Sequence, residues 1–233
     1  MTVAAASPLF DRDGWWDPTC REFASLRAVS AFRLGLLRRW LPGAWAGRTV
    51  VDLGCGAGLL GIPLAEAGAR VVGVDLARQA LEAGRRRGTT TFLPLAGDLV
   101  RAPVRSEGAD VVLLADVLEH LDDPRTAVSE AARLLRPGGA LFVNTIARTL
   151  RARLLAITLG EGLGFIPRGT HQWRLFVTPG ELDAMAAGAG LVRVERTGEA
   201  PRLWRTMANR AVALRESRSL AVGYAALYER QPS

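Results

Sequence analysis

Short apolar runs alternate with amphipathic stretches from residue 49 onward. The runs have the length and composition of buried strands, and they lie at 50–53, 71–74, 91–95, 111–114 and 140–143. The stretches between them carry apolar residues at helical spacing, at 59–67, 79–87 and 125–135. This alternation is typical of a parallel sheet that is covered by helices on both faces. We therefore expect a doubly wound α/β fold with a mostly parallel sheet.

The two ends of the chain extend this predicted core. Trp15-Trp16-Asp17-Pro18 opens a segment with apolar residues at helical spacing, which predicts one or two N-terminal helices. Near the other end, Thr178 is followed by Glu181 three residues later, the pattern of a capping box, so a helix is expected over 178–189. A closing pair of strands is predicted around 191–196 and 221–227.

An arginine- and leucine-rich insertion interrupts the alternation, and insertions of this size usually serve substrate. The length of 233 residues fits one domain with a substantial core. We expect a single domain over 1–233. Its parts are N-terminal helices at 1–47, a cofactor-binding core at 48–145, the insertion at 146–178 and the C-terminal part of the core at 179–233.

Basic residues begin the insertion, and apolar residues follow them. Within 147–168, Arg148, Arg151 and Arg153 precede leucines, isoleucines and a phenylalanine. This order suits an interfacial helix on an anionic membrane. The same stretch equally suits a lid over a lipophilic ligand, and burial in an ordinary core is a third interpretation because glycines interrupt it.

Composition adds a strongly basic balance. The formal net charge is +7, and every basic residue other than histidine is arginine. Base composition of the source genome explains this bias, and so does an anionic partner attracted by a basic surface. No nucleic-acid motif accompanies the charge, so we expect lipid rather than nucleic acid as that partner.

The cysteines and the N-terminus indicate a compartment. Cys20 and Cys55 are far apart and form no paired motif, which favours a reducing environment. The first ten residues lack the pattern of a secretory signal. No run reaches the roughly 18 apolar residues of a membrane span. We expect a cytoplasmic protein, in peripheral contact with the inner face of the membrane if the insertion binds lipid.

A glycine-rich loop carries the most informative chemistry. The run Asp52-Leu53-Gly54-Cys55-Gly56-Ala57-Gly58 lies between a predicted strand and a predicted helix, where backbone turns tightly and approaches a ligand closely. The next strand ends at Asp75, a position from which a carboxylate accepts ribose hydroxyls in nucleoside-binding folds. The combination is much more specific than the loop alone.

The acid that begins this loop distinguishes between two nucleoside cofactors. Asp52 would repel a pyrophosphate but favours the ammonium end of a cationic ligand, so S-adenosylmethionine is preferred over NAD. Asp98, after the third strand, would accept the adenine amine, and Ala115 closes the fourth strand at the ligand-binding edge. A Rossmann-like dehydrogenase, or a degenerate domain without ligand, is the alternative.

Several further motifs resemble one enzyme family along nearly the whole chain. They are Trp15-Trp16-Asp17-Pro18, Arg33, the glycine loop, Asp116-Val117-Leu118-Glu119-His120, Gly169-Thr170-His171-Gln172-Trp173 and Val222-Gly223-Tyr224. The chain resembles the ubiquinone-biosynthesis O-methyltransferases, which methylate polyprenyl-catechol intermediates. The resemblance implies a Rossmann-like class I methyltransferase fold, S-adenosylmethionine as methyl donor and a lipophilic phenolic or catechol acceptor.

The resemblance also supplies candidate cofactor contacts. It implies that Arg33, Gly54, Asp75 and Ala115 bind S-adenosylmethionine. With the neighbouring positions of the same loops, the predicted set is Arg33, Asp52, Gly54, Cys55, Gly56, Gly58, Asp75, Leu76, Asp98, Leu99 and Ala115. Arg33 is the least secure member, because a surface arginine would explain it equally well.

The acceptor end of the site has two chemical interpretations. By resemblance, Asp116, Glu119 and His120 match a divalent-metal site, either Mg²⁺ or Zn²⁺, and a bound ion would acidify a catechol oxygen. Alternatively, His120 or His171 acts as an unaided general base, and Glu119 is a further catalytic candidate beside them. A plain structural role for Glu119-His120, as residues that cap a turn, is the third interpretation.

Two departures from the family pattern concern the acceptor. Members of the family usually carry an acidic residue where this chain has Gln172, and an asparagine where it has Gly223. These changes leave the predicted cofactor residues untouched. Another aromatic or quinone natural product is therefore the alternative acceptor, and a non-catalytic S-adenosylmethionine-binding partner protein is the second function considered. Oligomeric state is left open.

Overall fold

The computed structural model describes residues 8–232 and consists of a sheet with helices on both faces. Its strands are β1 (Thr49–Leu53), β2 (Arg70–Asp75), β3 (Phe92–Ala96), β4 (Ala109–Ala115), β5 (Leu135–Ile146), β6 (Leu191–Pro201), β7 (Leu214–Ser217) and β8 (Gly223–Arg230). Its helices are α1 (Ala24–Trp40), α2 (Gly61–Glu66), α3 (Arg78–Arg87), α4 (Pro124–Leu134), α5 (Leu150–Ala152), α6 (Pro179–Gly188) and α7 (Leu203–Asn209).

The eight strands form one sheet in the order β3-β2-β1-β4-β5-β8-β6-β7. Strands β1 to β5 pair in parallel, whereas β8 runs antiparallel to both β5 and β6, and β7 runs antiparallel to β6. The strand order reverses between β1 and β4. In open α/β sheets this reversal leaves a crevice at the carboxyl ends of the strands, where ligands bind. The predicted doubly wound, mostly parallel fold is confirmed.

Alternating strand residues build a separate core on each face of the sheet. On one face Leu53 and Leu114 pack with apolar residues of α4 and α6. On the other face Val50 and Leu113 pack with α1 and α2. Such strands are apolar along their whole length because both of their faces are covered.

Helix α6 follows the predicted capping pattern. The Thr178 Oγ1 accepts the Glu181 N–H at 3.3 Å, and the Thr178 N–H donates to the Glu181 carboxylate at 2.8 Å. The reciprocal bonds satisfy backbone groups that have no partner within a helix. The helix predicted at 178–189 is therefore confirmed, with Thr178 as its cap.

The largest differences from the predicted elements lie in the last third of the chain. The insertion is not a regular helix, because α5 continues as a π-helical segment, Arg153–Glu161. Helix α7 and edge strand β7 were not predicted, and they fill the connection between β6 and β8. Helix α2 begins two residues later than predicted, because the glycine loop still turns at 58–60.

Candidate functional site

A cavity of about 730 Å³ opens at the carboxyl ends of β1, β2 and β4. One end is lined by the glycine loop, and the other by residues of the insertion and α7. The cavity therefore lies at the reversal of strand order, where the topology predicts a ligand. Its volume is within the range typical of small-molecule sites.

The glycine loop is held in its turn by the carboxylate of Asp75. The Gly56 N–H donates to Asp75 Oδ2 at 2.7 Å, and the Ala77 N–H donates to Oδ1 at 2.8 Å. Gly54 and Gly56 have φ values of +76° and +51°, which favour glycine. A Cβ on Gly54 would lie 2.6 Å from a methyl group of Val117. The loop thus leaves backbone, rather than side chains, against the cavity.

Two acids lie in this poorly solvated region, Asp52 buried and Asp75 half-buried. Burial, reinforced by the charge of Asp75, raises the pKa of Asp52 to about 7. Burial also raises the pKa of Asp75, although N–H groups of Ala77 and Gly56 oppose the rise. A cationic ligand would offset the desolvation of both carboxylates, whereas an anionic one would add repulsion. The electrostatics therefore favour a cationic nucleoside ligand.

Two N-terminal tryptophans close over the glycine loop. The Trp15 ring lies so near Gly56 that a Cβ there would be 2.6 Å from it. The Trp16 Nε1 donates to the Ala57 carbonyl at 2.9 Å. Trp15 also stacks on Phe23 at a centroid distance of 4.6 Å. The segment before α1 thus forms one wall of the nucleoside end of the cavity.

Arg33 is buried within an acidic network rather than exposed on the surface. Its Nη2 donates to Glu199 Oε2 at 2.9 Å, and its Nη1 pairs with the carboxylate of Asp116. Burial opposes its charge, but Asp116 and Glu199 raise the pKa of Arg33 above its ordinary value. The interpretation of Arg33 as a surface arginine is therefore wrong. Arg33 lines the cavity, and its guanidinium joins α1 to β6 and to Asp116, the residue that follows β4.

Removing Glu199 should destabilise the fold. Glu199→Ala leaves the buried Arg33 with one carboxylate partner, and losing one member of a buried pair costs about 3 kcal/mol of the free energy of unfolding. Urea unfolding measures the loss. Glu195→Ala is the matched control, because Glu195 is exposed on the same strand. Equal, small losses in both variants would show that the pair contributes little.

The acceptor end of the cavity contains a buried acid without a complete set of partners. The Thr145 Oγ1 donates to Glu119 Oε2 at 2.8 Å, while Glu119 Oε1 has no hydrogen-bond partner among residues 8–232. Burial, with a contribution from Asp116, raises the pKa of Glu119 to about 8. This rise favours the protonated form of Glu119, which can donate a hydrogen bond.

Two histidines face each other beside Glu119, and among residues 8–232 only His171 has a carboxylate partner. His171 Nδ1 lies 3.1 Å from Glu161 Oε1, and both side chains are 8% exposed. The Glu161 carboxylate also accepts the backbone N–H groups of Gly169 and His171. The His120 ring stacks on His171 at 5.7 Å, and burial lowers the pKa of His120 to about 4.

Apolar side chains form the long wall beyond the histidines. They come from α1, from the insertion and from α7, and they include Leu26, Val29, Leu155, Leu159, Leu163, Phe165, Ile166, Leu203 and Met207. The insertion therefore covers the cavity, with Leu150 and Leu154 turned outward and exposed. The interpretation of this segment as part of an ordinary buried core is therefore wrong.

Comparison with known proteins places the chain in a family. A methyltransferase domain model matches residues 51–143. A ubiquinone biosynthesis O-methyltransferase of Cupriavidus pinatubonensis is 40% identical over 191 residues, which cover 79% of this chain and 75% of that relative. One from Idiomarina loihiensis is 37% identical, covering 84% and 81%. The chain belongs to the ubiquinone biosynthesis O-methyltransferase family.

Solved structures support the same fold at lower identity. A possible histamine N-methyltransferase of Thermotoga maritima superposes with a TM-score of 0.69 and 21% identity, covering 96% of this chain and 98% of that one. Magnesium protoporphyrin IX methyltransferase of Synechocystis, solved with bound SAH, gives a TM-score of 0.65 and 19% identity, with coverages of 95% and 91%. The predicted class I methyltransferase fold is thus confirmed.

Most cofactor positions predicted for this family member line one cavity. These are Arg33, Asp52, Gly54, Cys55, Gly56, Asp75, Leu76, Leu99 and Ala115. Gly58 instead lies behind the loop, where a Cβ would be 2.7 Å from Phe92, so its contribution is to the turn. The Asp98 carboxylate accepts the Val100 N–H at 3.1 Å, and its contact with adenine stays a prediction.

The three predicted metal ligands do not converge in this family member. Asp116 is engaged by Arg33 and by Asn144, whereas Glu119 bonds to Thr145. Among residues 8–232, no group of three or more His, Cys, Asp and Glu side chains could hold a metal ion. Asp116, Glu119 and His120 thus do not form a ready metal site in this arrangement of side chains, and a divalent ion held by them stays a prediction for experiment.

Two residues that hold site side chains were missed by the sequence reasoning, Glu161 beside His171 and Glu199 beside Arg33. Glu161 is acidic within an otherwise apolar stretch at 154–166, and that isolation was the available signal. Glu199 lies in a strand with alternating charges, where nothing in the sequence distinguishes it from its exposed neighbours. Its partner Arg33 is 166 residues away, so only the fold brings the pair together.

Proposed function

We propose that this protein transfers the methyl group of S-adenosylmethionine to a phenolic oxygen of a lipophilic catechol, as an O-methyltransferase of ubiquinone-biosynthesis type. The observation that carries the proposal is one continuous cavity. It joins the glycine loop and Asp75 at one end to the paired His171 and Glu161 and an apolar wall at the other.

The residues at the nucleoside end hold the methyl donor. The sulfonium of S-adenosylmethionine supplies an electrophilic methyl group. The Asp75 carboxylate lines the cavity beside the loop and accepts the ribose hydroxyls, while Leu76 and Leu99 offer apolar contacts to the base. Arg33 lies where it can meet the carboxylate of the methionine end. Holding both reactants in line contributes most of the rate enhancement.

His171 is the general base of the proposed reaction. A proton on Nδ1 donates to Glu161, which leaves Nε2 free to accept the proton of the phenol. Burial lowers the pKa of His171, although Glu161 opposes the shift, so the ring is neutral at pH 7. Glu161 also stabilises the imidazolium that forms. His120 has no such carboxylate partner in the part of the chain that the structure describes, and it is the weaker candidate.

Glu119 orients the acceptor rather than removing its proton. Its protonated carboxyl group has one oxygen without a partner among the described residues, and it lies in the cavity wall next to His120. A second oxygen of a catechol would satisfy that group. Unpaired buried polar groups favour a ligand that supplies the missing bond, so an acceptor with two adjacent oxygens is preferred.

The acceptor's identity depends on two positions that differ from the usual family pattern. Gln172 and Gly223 both line the cavity. A different phenol or quinone natural product is therefore the alternative acceptor. The pairing of His171 with Glu161 supports an enzyme over a non-catalytic S-adenosylmethionine-binding partner, because such a protein has no need of an oriented base.

Labelled S-adenosylmethionine with a panel of acceptors tests this function. We expect methyl transfer to catechols, and no transfer to carboxylates of similar size. Each reaction is run with and without a chelator. Unchanged turnover after exhaustive chelation would exclude the metal hypothesis for Asp116, Glu119 and His120 without affecting the proposed base. Absence of transfer to every phenol and catechol would contradict the proposed function.

We propose that the insertion acts as a lid over the cavity and that its outer side faces lipid. Its inner residues line the cavity, while Leu150 is 72% and Leu154 is 51% exposed beside Arg151. No helix within residues 8–232 is long and apolar enough to cross a membrane. We propose a cytoplasmic enzyme in peripheral contact with an anionic membrane, and sedimentation with vesicles tests that contact.

A further inference from the structure

Glu199 is a buried acid of β6 that none of the predicted sites includes. The residue is 2% exposed and lines the cavity. Its hydrogen-bond partner is Arg33, whose Nε lies 3.3 Å from each carboxylate oxygen and whose Nη2 donates to Oε2 at 2.9 Å. A buried carboxylate that bonds in this way to one arginine fixes the direction in which the guanidinium points.

The contact with Glu199 occupies one side of the guanidinium and leaves other donors free. Nε and Nη2 meet Glu199, whereas Nη1 pairs with the carboxylate of Asp116. A guanidinium has five N–H groups, two of them on each terminal nitrogen. One N–H on Nη1 and one on Nη2 therefore have no partner among residues 8–232. Donors on two terminal nitrogens are the arrangement that takes a carboxylate at two points.

Asp116 places an opposite charge beside these donors. Its side chain is 27% exposed, compared with 2% for that of Glu199, and it too lines the cavity. The Asn144 Nδ2 donates to Asp116 Oδ1 at 3.0 Å, and Asp116 has a φ of +54°, which is uncommon for a residue other than glycine. The cavity thus presents a cation and an anion side by side. This pair complements the ammonium and carboxylate groups of an α-amino acid.

Gly223 leaves space for the pairing of Glu199 with Arg33. It lies opposite Glu199 in the pairing of β6 with β8. A Cβ on Gly223 would be 3.5 Å from the Glu199 Cβ and 3.7 Å from Oε2. A polar side chain at 223, such as asparagine, would therefore compete with Arg33 for the Glu199 carboxylate. This departure from the usual family pattern concerns Glu199 as well as the acceptor.

We propose that Glu199 is a positioning residue for the methyl donor. By holding Nε and Nη2, it turns the free N–H groups of Arg33 toward the cavity, where they bind the carboxylate of the methionine end of S-adenosylmethionine. Without Glu199, the guanidinium is free to give Asp116 a two-point contact, and the donors for the ligand are lost. Glu199 thereby favours a cofactor with an amino-acid end over a nucleoside without one.

The inference rests on the proposed function only in that the cavity holds S-adenosylmethionine and that Arg33 meets its methionine end. The acceptor plays no part in it. Binding measurements without acceptor test the role of Glu199, and methyl transfer to catechols tests the reaction. A protein that binds the cofactor but methylates no phenol would contradict the proposed function and leave the role of Glu199 intact.

Calorimetry with two ligands tests the role of Glu199. S-adenosylhomocysteine has the amino-acid end, whereas 5′-methylthioadenosine lacks it. Glu199→Gln keeps the size of the side chain but replaces one oxygen by a donor, so the two-point contact with Arg33 is lost. We expect this variant to bind S-adenosylhomocysteine about tenfold more weakly and 5′-methylthioadenosine with unchanged affinity. Glu195→Gln is the matched control, because Glu195 is exposed on the same strand. It should bind both ligands like the wild type.

A double-variant cycle shows whether Glu199 acts through Arg33. Arg33→Gln should also weaken the binding of S-adenosylhomocysteine selectively. Residues that act as one unit have non-additive effects. The variant R33Q/E199Q should therefore bind S-adenosylhomocysteine no more weakly than Arg33→Gln alone. Additive losses would show that Glu199 acts independently of Arg33, which contradicts the inference.

The two ligands separate positioning from support of the fold. Equal losses for both ligands in a folded Glu199→Gln protein would reduce Glu199 to a structural residue. If Arg33→Gln weakens S-adenosylhomocysteine binding but Glu199→Gln leaves it unchanged or tightens it, the inference alone is wrong. If Arg33→Gln changes nothing, the proposed contact of Arg33 is wrong as well.

A milder variant covers the case in which Glu199→Gln does not fold. Glu199→Asp keeps the charge beside Arg33 but shortens the side chain by one methylene group, so the two-point contact is strained rather than removed. It should weaken the binding of S-adenosylhomocysteine several-fold and leave that of 5′-methylthioadenosine unchanged. Wild-type affinity for both ligands would contradict the inference.

Discussion

Asp75→Ala should weaken S-adenosylmethionine binding by about ten- to a hundred-fold. A hydrogen bond to a charged group contributes about 1.5–3 kcal/mol, and its removal leaves the ribose hydroxyls without a charged acceptor. Calorimetry with the purified protein measures the change in Kd. An unchanged Kd would exclude Asp75 as the ribose ligand.

The carboxylate of Asp75 also anchors the glycine loop. A second pair of variants therefore distinguishes the loss of a ribose contact from the loss of support for the loop. Asp75→Asn keeps one oxygen that can accept the Gly56 N–H, and it should lose affinity while retaining the stability of the fold. Asp110→Ala is the matched control. Its carboxylate likewise accepts a backbone N–H, from Thr49 at 2.7 Å, but it lies near the start of β4, at the opposite edge of the sheet. Only the Asp75 variants should alter Kd.

The nucleoside half of the site could be predicted because its determinants are local. The run from Asp52 to Gly58 combines the end of a buried strand with glycines that permit positive φ. Strand β2, which pairs with β1 in parallel, ends at Asp75. Parallel pairing then brings both strand ends to one edge of the sheet without further information. Local pattern and topology point to the same place, which is why these predictions agree with the cavity lining.

The acceptor half could not be predicted, because its contacts depend on irregular backbone. Glu161 reaches His171 only through the π-helical segment and the turn after it, a path with no simple periodicity in the sequence. Helix α7 is short and exposes its large side chains, so it lacks the inward apolar stripe that identifies a packed helix. Edge strand β7 is also partly exposed, so it lacks the apolar pattern that identifies a buried strand. The predicted metal site shares this difficulty, since spacing along a loop does not fix where side chains point.

His171→Ala should lower the turnover of catechol methylation by about 10²–10⁴-fold, the contribution of a positioned general base. S-adenosylmethionine affinity should change little, because His171 lies at the acceptor end of the cavity. His120→Ala is the matched control, since the His120 ring stacks on His171 but has no carboxylate partner among the described residues. Steady-state kinetics with a soluble catechol, together with calorimetry for the cofactor, separates kcat from binding.

The pH profile decides whether His171 is the base or only a packing residue. A base must be unprotonated, so kcat falls as pH falls through its pKa. Burial lowers the pKa of His171, so the fall should begin below the ordinary histidine value of about 6.5. Glu161→Gln removes the charge that opposes this lowering, and it should move the acidic limb to still lower pH while reducing kcat less than His171→Ala does. If His171→Ala keeps the acidic limb and His120→Ala abolishes it, the base is His120, and Glu161 serves only to hold the loop at 169–171.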